Sequence, residues 1–294
     1  MIRLNIMMKK NKLKYYLQLW NLTPDGKTIT THSSQLIPVV TEGGEKAVLK
    51  ITNDESEKIG NSLMVWWEGN GAANVLAHEG EAIVLKRAVA LNFLSEMSSH
   101  NNDIEACRII CQTANYLHNF SKRNFSNKLL LNQSLLQLVS FNVWFSELKQ
   151  IAKTQGGVFN ICYEISEELL NTQDDIVVLH GDLHHNNILY FGKTLGYLAI
   201  DPKGLIGERT FDYANIFMNP DLGDPNLHIA IKPEIFEQRL KVIVESASLE
   251  KERLLMWIVA WGGLSAAWSL KEGQSTSTAI GVVKLALAHL GNSI

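Results

Sequence analysis

Apolar and polar positions along the chain change their spacing near Arg87. Before it, apolar residues come in short runs bounded by turn residues. Leu36–Val40 and Ala47–Ile51, joined through Thr41–Gly44, predict an antiparallel hairpin, with Thr23-Pro24-Asp25-Gly26 as an earlier turn. Asn53-Asp54-Glu55-Ser56 puts acidic residues in the first turn of a helix that can run to Trp67 and stop at Gly69. Asn74–Ala77 and Ala82–Lys86 read as a second hairpin, turning at His78-Glu79-Gly80. After Arg87 the period becomes helical. Ile104, Cys107, Ile110, Cys111, Ala114 and Leu117 mark one face of a helix over Asp103–Phe120. Further helices are predicted over Leu135–Ala152, Val158–Leu170, Phe211–Met218, Pro233–Ser246, Leu249–Leu270 and Thr278–Leu290. One stretch interrupts them: between Ile176 and Asp201, short apolar runs frame polar turns. The pattern predicts an α+β, bilobal chain, with a β-rich lobe over residues 1–88 and a mainly helical lobe over 89–294. A cleft between the lobes is the default ligand site.

Bulk composition narrows the function classes. A net charge of −3 argues against a nucleic-acid surface. The three cysteines are an odd number and imply no disulfide framework, which fits a reducing compartment. Cys107 and Cys111 lie on one apolar helical face and read as core. The basic start (Arg3, Lys9, Lys10, Lys12, Lys14) lacks the apolar centre of a signal peptide, and Leu254–Leu264 is too short to span a membrane. The expectation is a cytoplasmic protein with no nucleic-acid or membrane partner, monomeric or weakly dimeric. Trp257, Trp261 and Trp268 read mostly as core, with one available to stack on a sugar.

The chemistry concentrates in His180-Gly181-Asp182-Leu183-His184-His185-Asn186-Asn187, with Ile200-Asp201-Pro202-Lys203-Gly204 soon after. Asp182 and Asn187 sit in a polar turn between the runs Ile176–Leu179 and Ile188–Phe191. Asp201 ends the run Leu195–Ile200. The spacing matches the kinase catalytic loop H-x-D-x-x-x-x-N, with a later Asp in the place of the D-F-G aspartate. Such a set performs metal-assisted phosphoryl transfer: Asp182 orients and deprotonates an alcohol, and Asn187 and Asp201 offer hard oxygens to Mg2+. A rival in another class is a metal-dependent hydrolase built on His180, Asp182, His184 and His185. Adjacent histidines in an extended loop point apart, which weakens it.

Strand alternation places Val48 and Lys50 on one face and Ala47, Leu49 and Ile51 on the other, so Lys50 can meet nucleotide phosphates. Its acidic partner is expected on the next helix at Glu55 or Glu57, with Glu57 preferred because it lies further in. No G-x-G-x-x-G precedes Lys50. Thr31-His32-Ser33-Ser34 supplies the hydroxyls and amides in its place, with Ser33 and Ser34 as nucleotide contacts. Glu208, Asp212, Asp221 and Asp224 follow the metal aspartate, against only Lys203 and Arg209. This points to a cationic, polyhydroxylated acceptor, with Glu208 and Asp224 as contacts and Asp212 as a structural residue.

H-G-D-L-H-H-N-N-I-L, L-A-I-D-P-K-G-L-I-G-E and F-D-Y-A-N-I-F-M-N-P resemble the streptomycin 6-phosphotransferases within the aminoglycoside and hydroxyurea resistance kinases. Leu22–Gly26, Ala47–Lys50, Trp67–Ala72 and Gly263–Trp268 extend the resemblance over most of the chain. It implies a protein-kinase-like fold with a hinge near Leu85–Ala88. Asp182 would be the base, Asn187 and Asp201 the Mg2+ ligands, Lys50 the phosphate-binding lysine, and His180 and Asp212 braces of the catalytic loop. The implied cofactors are ATP, with GTP as the alternative nucleotide, and Mg2+. The implied acceptor is an aminoglycoside, streptomycin at its 6-hydroxyl, with antibiotic resistance as the outcome. A housekeeping kinase of a sugar or amino alcohol is the alternative.

Overall fold

A computed structural model describes residues 12–91, 93–125 and 138–291. The first part is an antiparallel sheet in the order β1 (Thr23–Pro24), β3 (Ser34–Val40), β4 (Lys46–Thr52), β6 (Ala82–Lys86), β5 (Val75–Glu79), with β2 (Ile29–Thr30) paired to β3. Alternation along β4 sorts its side chains. Ala47, Leu49 and Ile51 enter a small core with Ile37, Val39 and Val84, which Tyr16 and Leu22 help to close. Residues 12–19 form the helix α1.

The opposite face meets α2 (Glu55–Trp67), and this helix starts where the acidic turn residues predict. Asp54 caps it, its carboxylate accepting from the Ser56 and Glu57 amides. The αL position after Trp67 is taken by Glu68 (φ 50°) before the expected Gly69 is reached. Two glycines let this helix lie against the segment carrying Asp201. A Cβ on Gly60 would sit 2.2 Å from the Pro202 carbonyl, and one on Gly204 would sit 2.4 Å from Ile59 Cγ2. The second hairpin differs from expectation, because β5 runs through Glu79 and the turn falls after it, at Gly80-Glu81.

Beyond Lys86 the Val89 amide donates to the Tyr190 carbonyl at 2.8 Å, joining the connection to the catalytic segment. The helices α3 (Phe93–Ser99) and α4 (Asp103–Phe125) follow. The helix expected over Leu135–Ala152 is a correction. Residues 135–137 lie outside the described part, and Val139–Ser140 is a strand, β7. Phe141–Trp144 (α5) and Ser146–Gln155 (α6) are then separate helices. The reason is tertiary: β7 pairs in parallel with β11 (Leu205–Glu208), which also pairs antiparallel with β8 (Ile176–Leu179). A local apolar period cannot register partners that far away.

The remainder is α7 (Val158–Asn171), the hairpin β9 (Ile188–Tyr190) and β10 (Tyr197–Ala199), α8 (Phe211–Ala214), a 3-10 turn Asn215–Met218, α9 (Pro233–Ala247), α10 (Lys251–Lys271) and α11 (Ser277–His289). Among the described residues α10 alone is long and apolar enough to cross a membrane, but 72% of its apolar window is buried inside the fold. Trp257 and Trp261 on it are core, as are Cys107 and Cys111, and burial pushes the Cys111 thiol up to about 12.

Candidate active site

β8 delivers the chain to the catalytic loop, and buried hydrogen bonds fix the loop's backbone. Asp212, on α8 and fully enclosed, accepts from the His180 amide at 3.0 Å, the Gly181 amide at 2.8 Å and His118 Nε2 at 2.8 Å. Burial opposes its charge, but the bond from His118 and the loop amides hold its carboxyl below the usual range. His180 Nδ1 accepts from the Asp182 amide at 3.2 Å, so Nε2 carries the proton and donates to the Ile200 carbonyl at 2.9 Å. Burial keeps this imidazole neutral by lowering its affinity for a second proton. The ring thereby ties the catalytic loop to the residue before Asp201.

The β9–β10 hairpin brings Asn187 and Asp201 to one end. Ala199 pairs with Ile188, and the Ile200 amide donates to the Asn187 carbonyl at 2.9 Å. Asn187 Nδ2 donates to the Asp182 carbonyl at 2.8 Å and to Asp182 Oδ2 at 3.1 Å. Its Oδ1 is therefore the atom left for a cation. Asp201 adopts a left-handed backbone (φ 59°), uncommon for a residue with a side chain and typical of strained functional positions.

A charge cluster surrounds Asp201. Lys50 Nζ contacts Glu57 Oε2 and lies 2.5 Å from Asp201 Oδ1. Lys203 Nζ lies 3.1 Å from Asp201 Oδ2 and 3.3 Å from Glu57 Oε1. Burial works against the Asp201 charge, but Lys50 and then Lys203 outweigh it and hold the carboxyl well below its ordinary value. Burial likewise opposes the Lys203 charge, and Asp201, Asp182 and Glu57 raise its pKa above the usual lysine value. The oxygen donors of Asp201 and Asn187 suit a hard cation such as Mg2+, which binds through one or two protein groups plus phosphate and water. The Thr31–Ser34 turn lies near the end of β4 that carries Lys50, since Ser34 pairs with Thr52 and Leu36 with Lys50. There Ser34 Oγ is buried without a partner, beside a cavity of about 240 Å³ that Ser33, Asn53 and Lys12 also line.

The remaining candidates divide. Glu208 is a correction: it is 3% exposed, and both its oxygens are taken by Arg253 (Nε at 3.1 and 3.0 Å) and Trp257 Nε1 (2.9 Å). It is a core ion-pair residue. Asp221 is buried as well and accepts from the Ala230 amide at 3.1 Å. Asp224 is exposed, on the loop where Gly223 abuts the catalytic-loop Asn186. The histidine metal cluster does not assemble. His180 is occupied as above, His184 Nδ1 accepts from the Asn186 amide, and His185 is buried against Asp103 at 3.9 Å. Among the described residues no group of three or more His, Cys, Asp or Glu side chains is arranged to hold a metal. Sequence reasoning missed Lys203, although it lies inside the I-D-P-K-G motif. It also missed Asn215, whose Nδ2 donates to Asp182 Oδ1 at 2.9 Å.

A five-strand sheet path with a helix-borne Glu against a strand Lys, over a loop of H-x-D-x-x-x-x-N spacing, defines a protein-kinase-like phosphotransferase. The profile of the aminoglycoside/hydroxyurea antibiotic resistance kinase family matches residues 19–273, and the chain belongs to that family. It is 42% identical over 257 residues to a streptomycin 3''-kinase of Klebsiella pneumoniae, covering 87% of this chain and 92% of that protein. It is 24% identical over 276 residues to a streptomycin 6-kinase of Streptomyces griseus, covering 92% and 85%. In fold it is similar to the amicoumacin kinase hAmiN, solved with AMP-PNP, Ca2+ and Ami. The TM-score is 0.64 at 13% identity, over 94% of this chain and 91% of that one.

Proposed function

We propose that the chain transfers the γ-phosphoryl group of ATP to a hydroxyl of streptomycin, at the 3'' position. The observation that carries the reaction is the meeting of Lys50, Asp182, Asn187 and Asp201 at one end of the β9–β10 hairpin. The relative that is 42% identical over nearly its whole length supports the 3'' position over the 6-hydroxyl expected from the sequence motifs. The acceptor oxygen bonds to the γ-phosphorus as the bond to the bridging oxygen breaks and ADP leaves. The hydroxyl proton passes to the Asp182 carboxylate. Lys50, held by Glu57, faces the phosphates, and the Ser33–Ser34 turn covers them. Asp201 and Asn187 would hold Mg2+, which supplies neutralisation of the phosphate charge when bound. In this reading residues 1–88 bind the nucleotide and 89–294 carry the catalytic loop and the acceptor site, with Asp224 facing a cationic group of the drug.

The test is magnesium-dependent ATP consumption measured across streptomycin, other aminoglycosides, sugars and amino alcohols. Streptomycin is expected to give the highest kcat/KM. Selective turnover of a sugar or amino alcohol, with none of streptomycin, would replace this reading with a housekeeping kinase.

A further inference from the structure

Asp182 is held by more than its own loop. Asn187 donates to Oδ2, and a residue 33 positions later, Asn215, donates to Oδ1. Asn215 opens the 3-10 turn and is 4% exposed. Its Oδ1 accepts from Trp261 Nε1 at 2.9 Å and from Asn219 Nδ2 at 3.0 Å. An indole N–H can only donate. The carboxamide must therefore turn its oxygen to Trp261, and its Nδ2 is left facing Asp182. Trp261 is itself immobilised, stacked on Trp144 with centroids 6.0 Å apart and edge-on to Phe211 at 5.4 Å. A chain of two bonds thus runs from the core of α10 to the carboxylate.

We propose that Asn215 is a positioning residue: with its amide oriented by Trp261 and Asn219, it fixes the torsion of the Asp182 carboxylate so that a free lone pair meets the acceptor hydroxyl. This rests on the reading of Asp182 as the base. Two neutral N–H donors, one on each oxygen, leave no rotation about the carboxylate that keeps both bonds. A misplacement of about 1 Å at a reacting group can cost on the order of 10²-fold in rate. Neither Asn215 nor Trp261 bonds to Lys50, Glu57, Asn187 or Asp201, so binding of ATP is independent of them.

The test measures kcat, both KM values and thermal stability for Asn215→Ala, Asn215→Asp and Trp261→Phe, beside Asp182→Asn. Asn215→Ala is expected to lower kcat about 10²-fold with both KM values nearly unchanged. Asn215→Asp still accepts from Trp261 and Asn219, so it preserves the packing, but it sets an acceptor against Asp182. The two carboxylates must then share a proton, and kcat should fall at least as far. Trp261→Phe removes one of the two donors that orient the amide and should cost a few-fold in kcat. It also carries the test if Asn215→Ala fails to fold. Native kcat in a folded Asn215→Asp, with Asp182→Asn inactive, overturns this inference alone. Native turnover by Asp182→Asn overturns the reading on which it rests.

Discussion

The two sides of the site are held by opposite means. Around Asp201 four charged groups, Lys50, Glu57, Asp201 and Lys203, compensate one another through contacts of 3.3 Å or less. Around Asp182 the partners are the neutral amides of Asn187 and Asn215, with His184 Nε2 3.7 Å away and kept neutral by burial. The difference follows from what each side must do. In the proposed function the first side would receive phosphates and a divalent cation, whose arrival would shift these ion pairs. In that function the second would present a carboxylate oxygen to the acceptor hydroxyl. The two amides fix its orientation without placing a charged donor in hydrogen-bond contact with it.

That contrast can be broken by substitution on either side. Lys50→Ala should lower kcat/KM by about 10²–10³-fold, the cost of losing one placed electrostatic donor, with the loss visible in nucleotide binding. Steady-state kinetics with varied ATP checks this. A loss confined to the acceptor KM would mean that Lys50 does not serve the nucleotide.

A smaller effect concerns pH. His180 and His184 are buried with lowered proton affinity, while in the unfolded chain they titrate near the ordinary value of about 6.5. Below that pH the unfolded state binds more protons than the folded one, so stability is full above it and declines as pH falls towards the folded values. Thermal unfolding between pH 8 and 5 should show Tm level at the upper end and falling below about 6.5. A Tm unchanged down to pH 5 would contradict the neutral, hydrogen-bonded assignment of these rings.

The smallest effect belongs to the exposed acidic loop. Asp224→Asn should raise the acceptor KM by about two- to five-fold, as for a solvent-exposed ion pair worth up to about 1 kcal/mol, and the difference should shrink with added salt. An unchanged KM at low salt would remove Asp224 from the acceptor site.

Local signals in the sequence carried much of this. Asp54 as a cap, the run Ile176–Leu179 and the hairpin around Asn187 and Asp201 are short-range patterns, and the structure shows β8 over Ile176–Leu179 as read. The residues misread depend on partners distant in the chain. Glu208 looks like a loop carboxylate until Arg253 and Trp257 close on it from 45 and 49 residues away. Val139–Ser140 extends only because β11 captures it. Asn215 stands in the run Phe211–Asn215, yet its amide is oriented by Trp261 from another helix, and no spacing rule joins the two. Side chains that act through one other residue of the same loop are legible, and those that bridge helices are not.

The central claim, phosphoryl transfer to streptomycin with Asp182 as the proton acceptor, is tested most directly by the product itself. Phosphorus–proton correlation NMR of the material formed from ATP, Mg2+ and streptomycin should show a phosphate ester on the 3'' carbon with the native chain and none with Asp182→Asn. An ester at the 6 position would overturn the 3'' assignment while keeping the reaction. No ester on streptomycin, or an ester formed equally well by Asp182→Asn, would contradict the account.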